Sequence, residues 1–288
     1  MNKSKKHIIY IIIGPTSVGK TSLAVKLCKK YNGEIISADS RQIYKHMNIG
    51  TGKSSVSCDG VVTWGYDLVN PDKFFSAYDF AKYALRKSKN IIEKGKTVFV
   101  VGGTGFYVDL FTGRITPFGV KPDIELRKSL ETTPTKNLLN RLTSLNLGKA
   151  QSINQNNRAR IIRALEIELK KENTSTPLPY LTNVRYVHIG LKAPREYLYS
   201  RVDEWLEGIW NSKLFDEISF LQRTFPNSNK LNGLVYETAR NRDFEKTKYD
   251  LHSYIRRQQT YFKKIPDVYW IDVSEDNHMQ KVYNIING

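Results

Sequence analysis

Gly14, Gly19, Lys20 and Thr21 stand in the spacing G-x-x-x-x-G-K-[ST], which describes a phosphate cradle. Glycines let a loop curl until its backbone N–H groups point inward at an anion, and a following helix adds its positive end. Lys20 supplies a charge to phosphate oxygens, and the Thr21 hydroxyl a ligand for Mg²⁺. The motif predicts a bound di- or triphosphate and leaves open what is done to it. Asp39 is a second candidate, in the run Ala38-Asp39-Ser40-Arg41-Gln42-Ile43-Tyr44. It fits a helix N-cap; it also fits a catalytic base or a Mg²⁺ partner facing Lys20. A third feature is the stretch 254–264, Tyr-Ile-Arg-Arg-Gln-Gln-Thr-Tyr-Phe-Lys-Lys, basic throughout and interleaved with aromatics. Such side chains suit phosphate contact combined with base stacking.

The elements that must position these residues follow from the apolar pattern. Ile8 to Ile13 is a continuous apolar run ending at Gly14, as in a buried strand, and a helical period starts after Gly19. Glu34 to Ser37, Thr97 to Val101, Val184 to Leu191 and Val268 to Val273 are further strand candidates, the last closing the chain. In an open α/β sheet ligands sit beyond the carboxyl ends of strands, where Asp39 falls. Met47 to Lys53 is a glycine-punctuated loop, 59–70 a short strand-and-turn region, and Ser76 to Lys94 a helix ended by Gly95. The cluster Gly102-Gly103-Thr104-Gly105 allows close backbone approach to a ligand, or simply a tight turn. Residues 195–223 and 249–264 are expected as helices.

After Gly113 the chain turns polar and mostly helical in period, with no strand before Val184. The expected class is therefore α/β: a P-loop NTPase-like, mostly parallel sheet flanked by helices, with a helical insertion domain. The core takes 1–116 and 182–288, and the insertion 117–181. Inside the insertion, Ile161, Ile162, Leu165 and Leu169 form an expected core stripe, with Arg160 and Arg163 on a neighbouring face.

Among 288 residues, 45 Lys and Arg face 28 Asp and Glu, a formal charge of +17 that suggests a polyanionic partner such as nucleic acid. Cys28 and Cys58, the only cysteines, lack metal-ligand spacing and fit a reducing cytoplasm. The basic start at Lys3, Lys5 and Lys6 leads into an apolar run too short for a signal peptide, and no stretch approaches membrane-spanning length.

Taken together the blocks resemble the tRNA dimethylallyltransferases, which prenylate the adenine beside the anticodon. They run in order: Gly-Pro-Thr-Ser-Val-Gly-Lys-Thr (14–21), Ile-Ser-Ala-Asp-Ser-Arg-Gln-Ile-Tyr (36–44) and Asn-Ile-Gly-Thr-Gly-Lys (48–53). Val-Gly-Gly-Thr-Gly-Phe-Tyr (101–107), Arg-Ile-Ile-Arg-Ala-Leu-Glu-Ile (160–167) and Arg-Arg-Gln-Gln-Thr-Tyr-Phe (256–262) follow. The resemblance implies that Gly14, Thr16, Ser17, Val18, Gly19, Lys20, Thr21 and Arg201 bind the diphosphate of dimethylallyl diphosphate, with Mg²⁺ at Thr21. It implies Asp39 as the base taking a proton from adenine N6, and Ser40, Arg41 and Gln42 as holding the adenine. Thr104, Arg127, Arg160, Arg163, Arg257 and Gln258 match positions that touch tRNA, through its anticodon stem-loop. A cytoplasmic monomer is expected.

Some positions depart from the family pattern. Trp205 stands where a second arginine is usual, four residues after Arg201. Val235-Tyr236 replaces Gly-Tyr, Asn156-Asn157 replaces Asn-Asp, and Tyr261 replaces Trp. Other readings are a small-molecule P-loop kinase, an enzyme prenylating free AMP, and a tRNA-binding protein with degraded catalysis. The first leaves the basic helix and the insertion without a task, and the second leaves Arg160, Arg163 and Arg257 without one.

Overall fold

The apolar run near the start of the chain forms β1 (His7–Ile13), and Ile9, Ile11, Ile12 and Ile13 are all fully buried. Both faces of the strand are covered, so every side chain from Ile9 onward is apolar rather than every second one. The computed structural model describes residues 6–53, 60–117, 120, 122–170 and 177–288. Lys3, Lys5, Cys58 and Asp59 lie outside them.

A six-stranded parallel sheet carries the fold. Its other strands are β2 (Gly33–Ser37), β3 (Thr63–Trp64), β4 (Thr97–Gly102), β5 (Val184–Lys192) and β6 (Val268–Asp272), in the order β3-β2-β4-β1-β5-β6. β1 lies between β4 and β5, so the loop after it opens at the middle of the carboxyl edge. Strand order reverses there, the place where open α/β sheets bind ligands. Helices α1 (Lys20–Tyr31), α2 (Ala77–Glu93) and α3 (Gly105–Thr112) connect the first strands. Ser76 and Asp79 start α2 with a reciprocal capping box, and Gly95, at φ 69°, follows its end.

The chain divides into two compact units, Met1–Ile115 with Pro179–Gly288, and Thr116–Leu178. The second unit contains α4 (Ile124–Glu131), α5 (Thr135–Leu145), α6 (Leu147–Ser152) and α7 (Arg158–Leu169). Its core is Leu130, Leu138, Leu142, Ala150, Ile161, Ala164 and Leu165. The expected stripe needs one correction: Leu169 is 37% exposed, and the buried places next to Leu165 go to Ala164 and Glu166. Asn157, in the Asn-Asn pair, caps α7 by accepting from the Arg160 N–H at 3.1 Å.

In the return part of the first unit, the helix expected over 195–223 is two helices, α8 (Arg195–Trp210) and α9 (Leu214–Thr224). The break is local: the Ser212 N–H and hydroxyl both donate to the Ile209 carbonyl, at 3.1 and 2.7 Å, closing α8. Next come α10 (Leu234–Ala239) and α11 (Phe244–Phe262). α11 starts earlier than expected because Asp243 accepts from the Lys246 N–H at 2.9 Å. β6 does not close the chain; α12 (His278–Asn287) follows. Among the described residues, no helix is long and apolar enough to cross a membrane.

Candidate active site

The phosphate loop turns on positive-φ residues: Gly14 at 148°, Ser17 at 61° and Gly19 at 93°. Gly19 is the N-cap of α1 and, lacking a side chain, makes no side-chain cap bond. The first N–H groups of the helix are therefore left for an anion. Two side chains brace the loop. Arg201 of α8 donates from Nε to the Ser17 carbonyl at 3.0 Å. Gln258 of α11, 5% exposed, accepts from the Thr16 N–H at 2.9 Å and donates to the Gly103 carbonyl at 3.0 Å. Gln258 thus joins the loop after β1 to the loop after β4, and both ends of its amide are engaged within the protein.

These loops open onto a cavity of about 380 Å³. It is lined by Thr16, Ser17, Gly19, Lys20 and Thr21 of the phosphate loop and α1, and by Asp39, Arg41, Gln42 and Gly50 to Gly52 of the segment after β2. Trp205, Val235, Tyr236, Leu251 and Tyr254 add apolar and aromatic wall. Lys20 donates to the Pro15 carbonyl at 2.6 Å, and burial pushes its ammonium down to about 8 against the opposing pull of the Asp39 carboxylate. Burial likewise pushes the Tyr254 phenol up.

Asp39 does not cap a helix, because residues 40–43 form turns and no helix follows. It closes a local turn instead, Oδ1 accepting from the Arg41 N–H at 2.8 Å. That turn is tied down on every side. The Thr104 hydroxyl oxygen accepts from the Ser40 N–H at 3.0 Å. Arg41 donates through Nη1 to the Lys230 carbonyl and through Nη2 to the Asn232 carbonyl. Gln42 accepts from the Ser37 hydroxyl at 2.8 Å and donates to the Thr51 carbonyl at 3.1 Å. The glycines at 102 and 105 are demanded by protein contacts. A Cβ on Gly102 would lie 2.1 Å from the Ala38 carbonyl oxygen, and one on Gly105 2.2 Å from the Tyr261 ring.

The positions that depart from the family pattern are structurally settled. Trp205 lies over Gly52, 3.6 Å from where a Cβ would stand, and contributes an apolar wall. Val235 is buried inside α10, and the turn before it falls on Gly233 at φ 111° and Leu234 at φ 51°. Tyr261 donates to buried Asp109, which also accepts from the Arg114 Nε at 2.6 Å.

Arg256 and Arg257 on α11 are exposed, as are Lys263 and Lys264 just after its end, and the Arg257 guanidinium lies 5.8 Å from the Tyr254 ring centre. Arg127, Arg160 and Arg163 belong to the other unit. There Arg127 and Arg163 both pair with the fully buried Glu166 carboxylate, which also accepts from the Asp123 N–H. Arg163 donates further to the Val120 carbonyl at 2.7 Å, and Arg160 is exposed.

One residue of consequence escaped the motifs. Glu217, on α9, accepts from the N–H groups of Asn48, Ile49 and Gly50 at 2.8 to 3.1 Å and from the Tyr236 hydroxyl at 2.7 Å. In sequence it is one more acid on an amphipathic helix, and its partners lie 167 to 169 positions upstream and 19 downstream.

A parallel sheet whose central strand feeds a phosphate loop, with a lysine and a carboxylate lining one cavity, defines a P-loop-type α/β protein. The chain belongs to the IPP transferase family, whose model matches residues 42–265, while an isopentenyl transferase model matches residues 7–58. A curated tRNA dimethylallyltransferase of Staphylococcus aureus is 34% identical over 94% of both chains. A crystal structure of a tRNA isopentenylpyrophosphate transferase from Staphylococcus epidermidis is 30% identical, with a TM-score of 0.69 over 98% of this chain and 99% of that one. Its counterpart from Bacillus halodurans is 31% identical, with a TM-score of 0.72 over 99% and 96%. A eukaryotic dimethylallyltransferase acting on tRNA, 23% identical, shares the fold with a TM-score of 0.75 over 97% of this chain and 78% of that one.

Proposed function

We propose that this protein transfers a dimethylallyl group from dimethylallyl diphosphate to N6 of the adenosine beside the anticodon in tRNA. The observation that carries the reading is that Lys20, Thr21 and Asp39 line one cavity. The α1 N-terminus and Lys20 bind the diphosphate, with Arg201 keeping Ser17 in place. N6 attacks the allylic carbon, a C–N bond forms, and the C–O bond breaks with its electron pair leaving on pyrophosphate. Asp39 accepts the N6 proton, which makes a weakly nucleophilic amine competent as charge develops on nitrogen. Lys20 offsets the charge that grows on the leaving group.

Mg²⁺ fits this donor set, since it keeps several waters and needs only one or two protein oxygens beside a phosphate. Thr21 would hold it, and it would neutralise pyrophosphate charge. The exposed basic face of α11 and the net charge of +17 support a tRNA acceptor over free AMP. Every residue lining the cavity comes from one unit of one chain, so a monomer suffices for the reaction.

The test is mass analysis of nucleosides after incubating unmodified tRNA with the protein, dimethylallyl diphosphate and Mg²⁺. The expected product is an adenosine heavier by one dimethylallyl group at the position beside the anticodon. Prenylated AMP with unmodified tRNA would replace this reading by the free-nucleotide one.

A further inference from the structure

Glu217 belongs to none of the phosphate-loop or basic features, yet its carboxylate accepts five hydrogen bonds. Oε1 accepts from Ile49 N–H at 3.1 Å, Gly50 N–H at 3.1 Å and the Tyr236 hydroxyl at 2.7 Å. Oε2 accepts from Asn48 N–H and Ile49 N–H, each at 2.8 Å. Three successive backbone N–H groups converging on one anion form a nest, the arrangement proteins use for phosphate. Here the anion is the protein's own. Charged acceptors hold such donors more strongly than neutral ones.

What the carboxylate fixes is the loop 47–53. Gly50, Thr51 and Gly52 line the cavity. The Tyr236 ring packs so closely that a Cβ on Gly50 would lie 2.7 Å from it. The Thr51 carbonyl accepts from Gln42, and Gln42 accepts from Ser37, two residues before Asp39. Lys53 closes the far end, donating to the Tyr44 carbonyl at 2.9 Å, Asn48 Oδ1 at 3.0 Å and Asp67 Oδ1 at 2.8 Å. This chain of bonds runs from α9 to the Asp39 turn and does not pass through the phosphate loop.

We infer that Glu217 is a positioning residue for the acceptor side of the cavity: through loop 47–53 and Gln42 it sets where the accepting base lies against Asp39. The inference rests on the reading of the site as a prenyl transferase acting on adenine. It predicts a split that a general structural role does not give. Losing the carboxylate slows transfer to the acceptor and leaves donor binding alone.

The experiment compares the parent with Glu217→Gln and Tyr236→Phe. It measures dimethylallyl diphosphate binding with Mg²⁺ by calorimetry, single-turnover transfer to an anticodon stem-loop, and amide hydrogen exchange at residues 48–50. Glu217→Gln presents an amide N–H₂ to backbone donors, so exchange at 48–50 accelerates. The single-turnover rate falls by about 10- to 100-fold, as for a misplacement near 1 Å, with donor affinity close to the parent and a lowered melting temperature, since the amide N–H₂ leaves backbone donors unpaired. Tyr236→Phe keeps the ring and removes one bond, giving a smaller loss with the same split. A parent-like rate with either variant overturns the inference, and so does loss of donor binding in step with rate. If Glu217→Gln fails to fold, Tyr236→Phe decides alone. If the parent itself prenylates no tRNA, the functional reading fails first, whereas parent-like exchange at 48–50 in Glu217→Gln refutes the role of Glu217 separately.

Discussion

Removing Gln258 discriminates between two roles for one residue. The family resemblance places it against tRNA. The structure buries it to 5% exposure with its oxygen on the Thr16 N–H and its nitrogen on the Gly103 carbonyl. Gln258→Ala strands both backbone groups, and a buried polar group without a partner costs about 1–3 kcal/mol. Thr16 and Gly103 border the cavity, so water reaches them in part and moderates the loss. The expected destabilisation is about 2–4 kcal/mol, or a melting temperature lower by about 3–7 °C in a chain of this size. Because Thr16 belongs to the phosphate loop, donor affinity falls as well, by about tenfold for each 1.4 kcal/mol of loop order lost. Gln258→Glu supplies a control: it still accepts from Thr16 but turns a carboxylate oxygen toward the Gly103 carbonyl, so stability suffers while the side chain is nearly isosteric. The assays are thermal melting, donor calorimetry and stem-loop binding on one preparation. Unchanged melting and donor affinity together with lost tRNA binding would refute the bracing role and restore the contact role.

Other outcomes follow from the same geometry. Asp39→Asn keeps an oxygen for the Arg41 N–H, so the turn and both substrate affinities persist while the single-turnover rate drops by about 10² to 10⁴; a near-normal rate removes Asp39 as the base. Donor affinity weakens as pH rises through about 8, where the Lys20 ammonium loses its proton; Lys20→Arg, charged throughout, flattens the profile from about one unit below that point to about one unit above it. Apoprotein stability moves in the opposite sense: the unfolded chain binds the extra proton between about 8 and the ordinary lysine value of 10.5, so stability rises with pH across that window. tRNA affinity falls steeply with salt, with a log–log slope of about −0.7 to −0.9 per phosphate neutralised, and Arg257→Ala reduces the slope by about one phosphate; a flat response excludes the exposed basic face of α11 as the docking surface.

The parts of this fold that are legible in the sequence are those set by near neighbours. β1 and the phosphate loop are written in one run of isoleucines followed by glycines at fixed spacing, and α2 in a capping box with a glycine after its end. Elsewhere the pattern misleads for physical reasons. α12 buries only Val282 fully, so its apolar stripe is thin and the polar stretch before it looks like a tail. Ser212 ends α8 through two bonds to one carbonyl, a stop that apolar periodicity does not carry. Asp39 has the composition of an N-cap, and only the absence of a helix after Gln42 distinguishes a turn from a cap. Glu217 was invisible because its meaning lies in the Asn48 to Gly50 loop on the other side of the sequence.

The resemblance identifies which positions matter, whereas hydrogen-bond capacity decides how each can matter. A guanidinium carries five donors in a fixed fork and a side-chain amide two donors and one acceptor oxygen. Arg41 spends two donors on the Lys230 and Asn232 carbonyls and still lines the cavity, so anchoring fixes the plane in which its remaining donors meet a substrate. Arg163 is similarly anchored by Glu166 and the Val120 carbonyl while staying partly exposed. For an arginine, being held and touching a phosphate are compatible, and the first lowers the entropic cost of the second. Gln258 has at most one N–H beyond the one given to the Gly103 carbonyl, and at 5% exposure almost none of the side chain reaches the surface. Thr104 sits between the two cases: its hydroxyl accepts from the Ser40 N–H and donates to the Ser40 oxygen at 3.3 Å, leaving acceptor capacity on the oxygen but no second proton. A substrate N–H or O–H meets that lone pair directly, whereas a phosphate oxygen requires the Thr104 proton to turn away from Ser40. On the proposed reading, phosphate falls to Lys20 and the surplus donors of the arginines, and base recognition to the turn that carries Asp39.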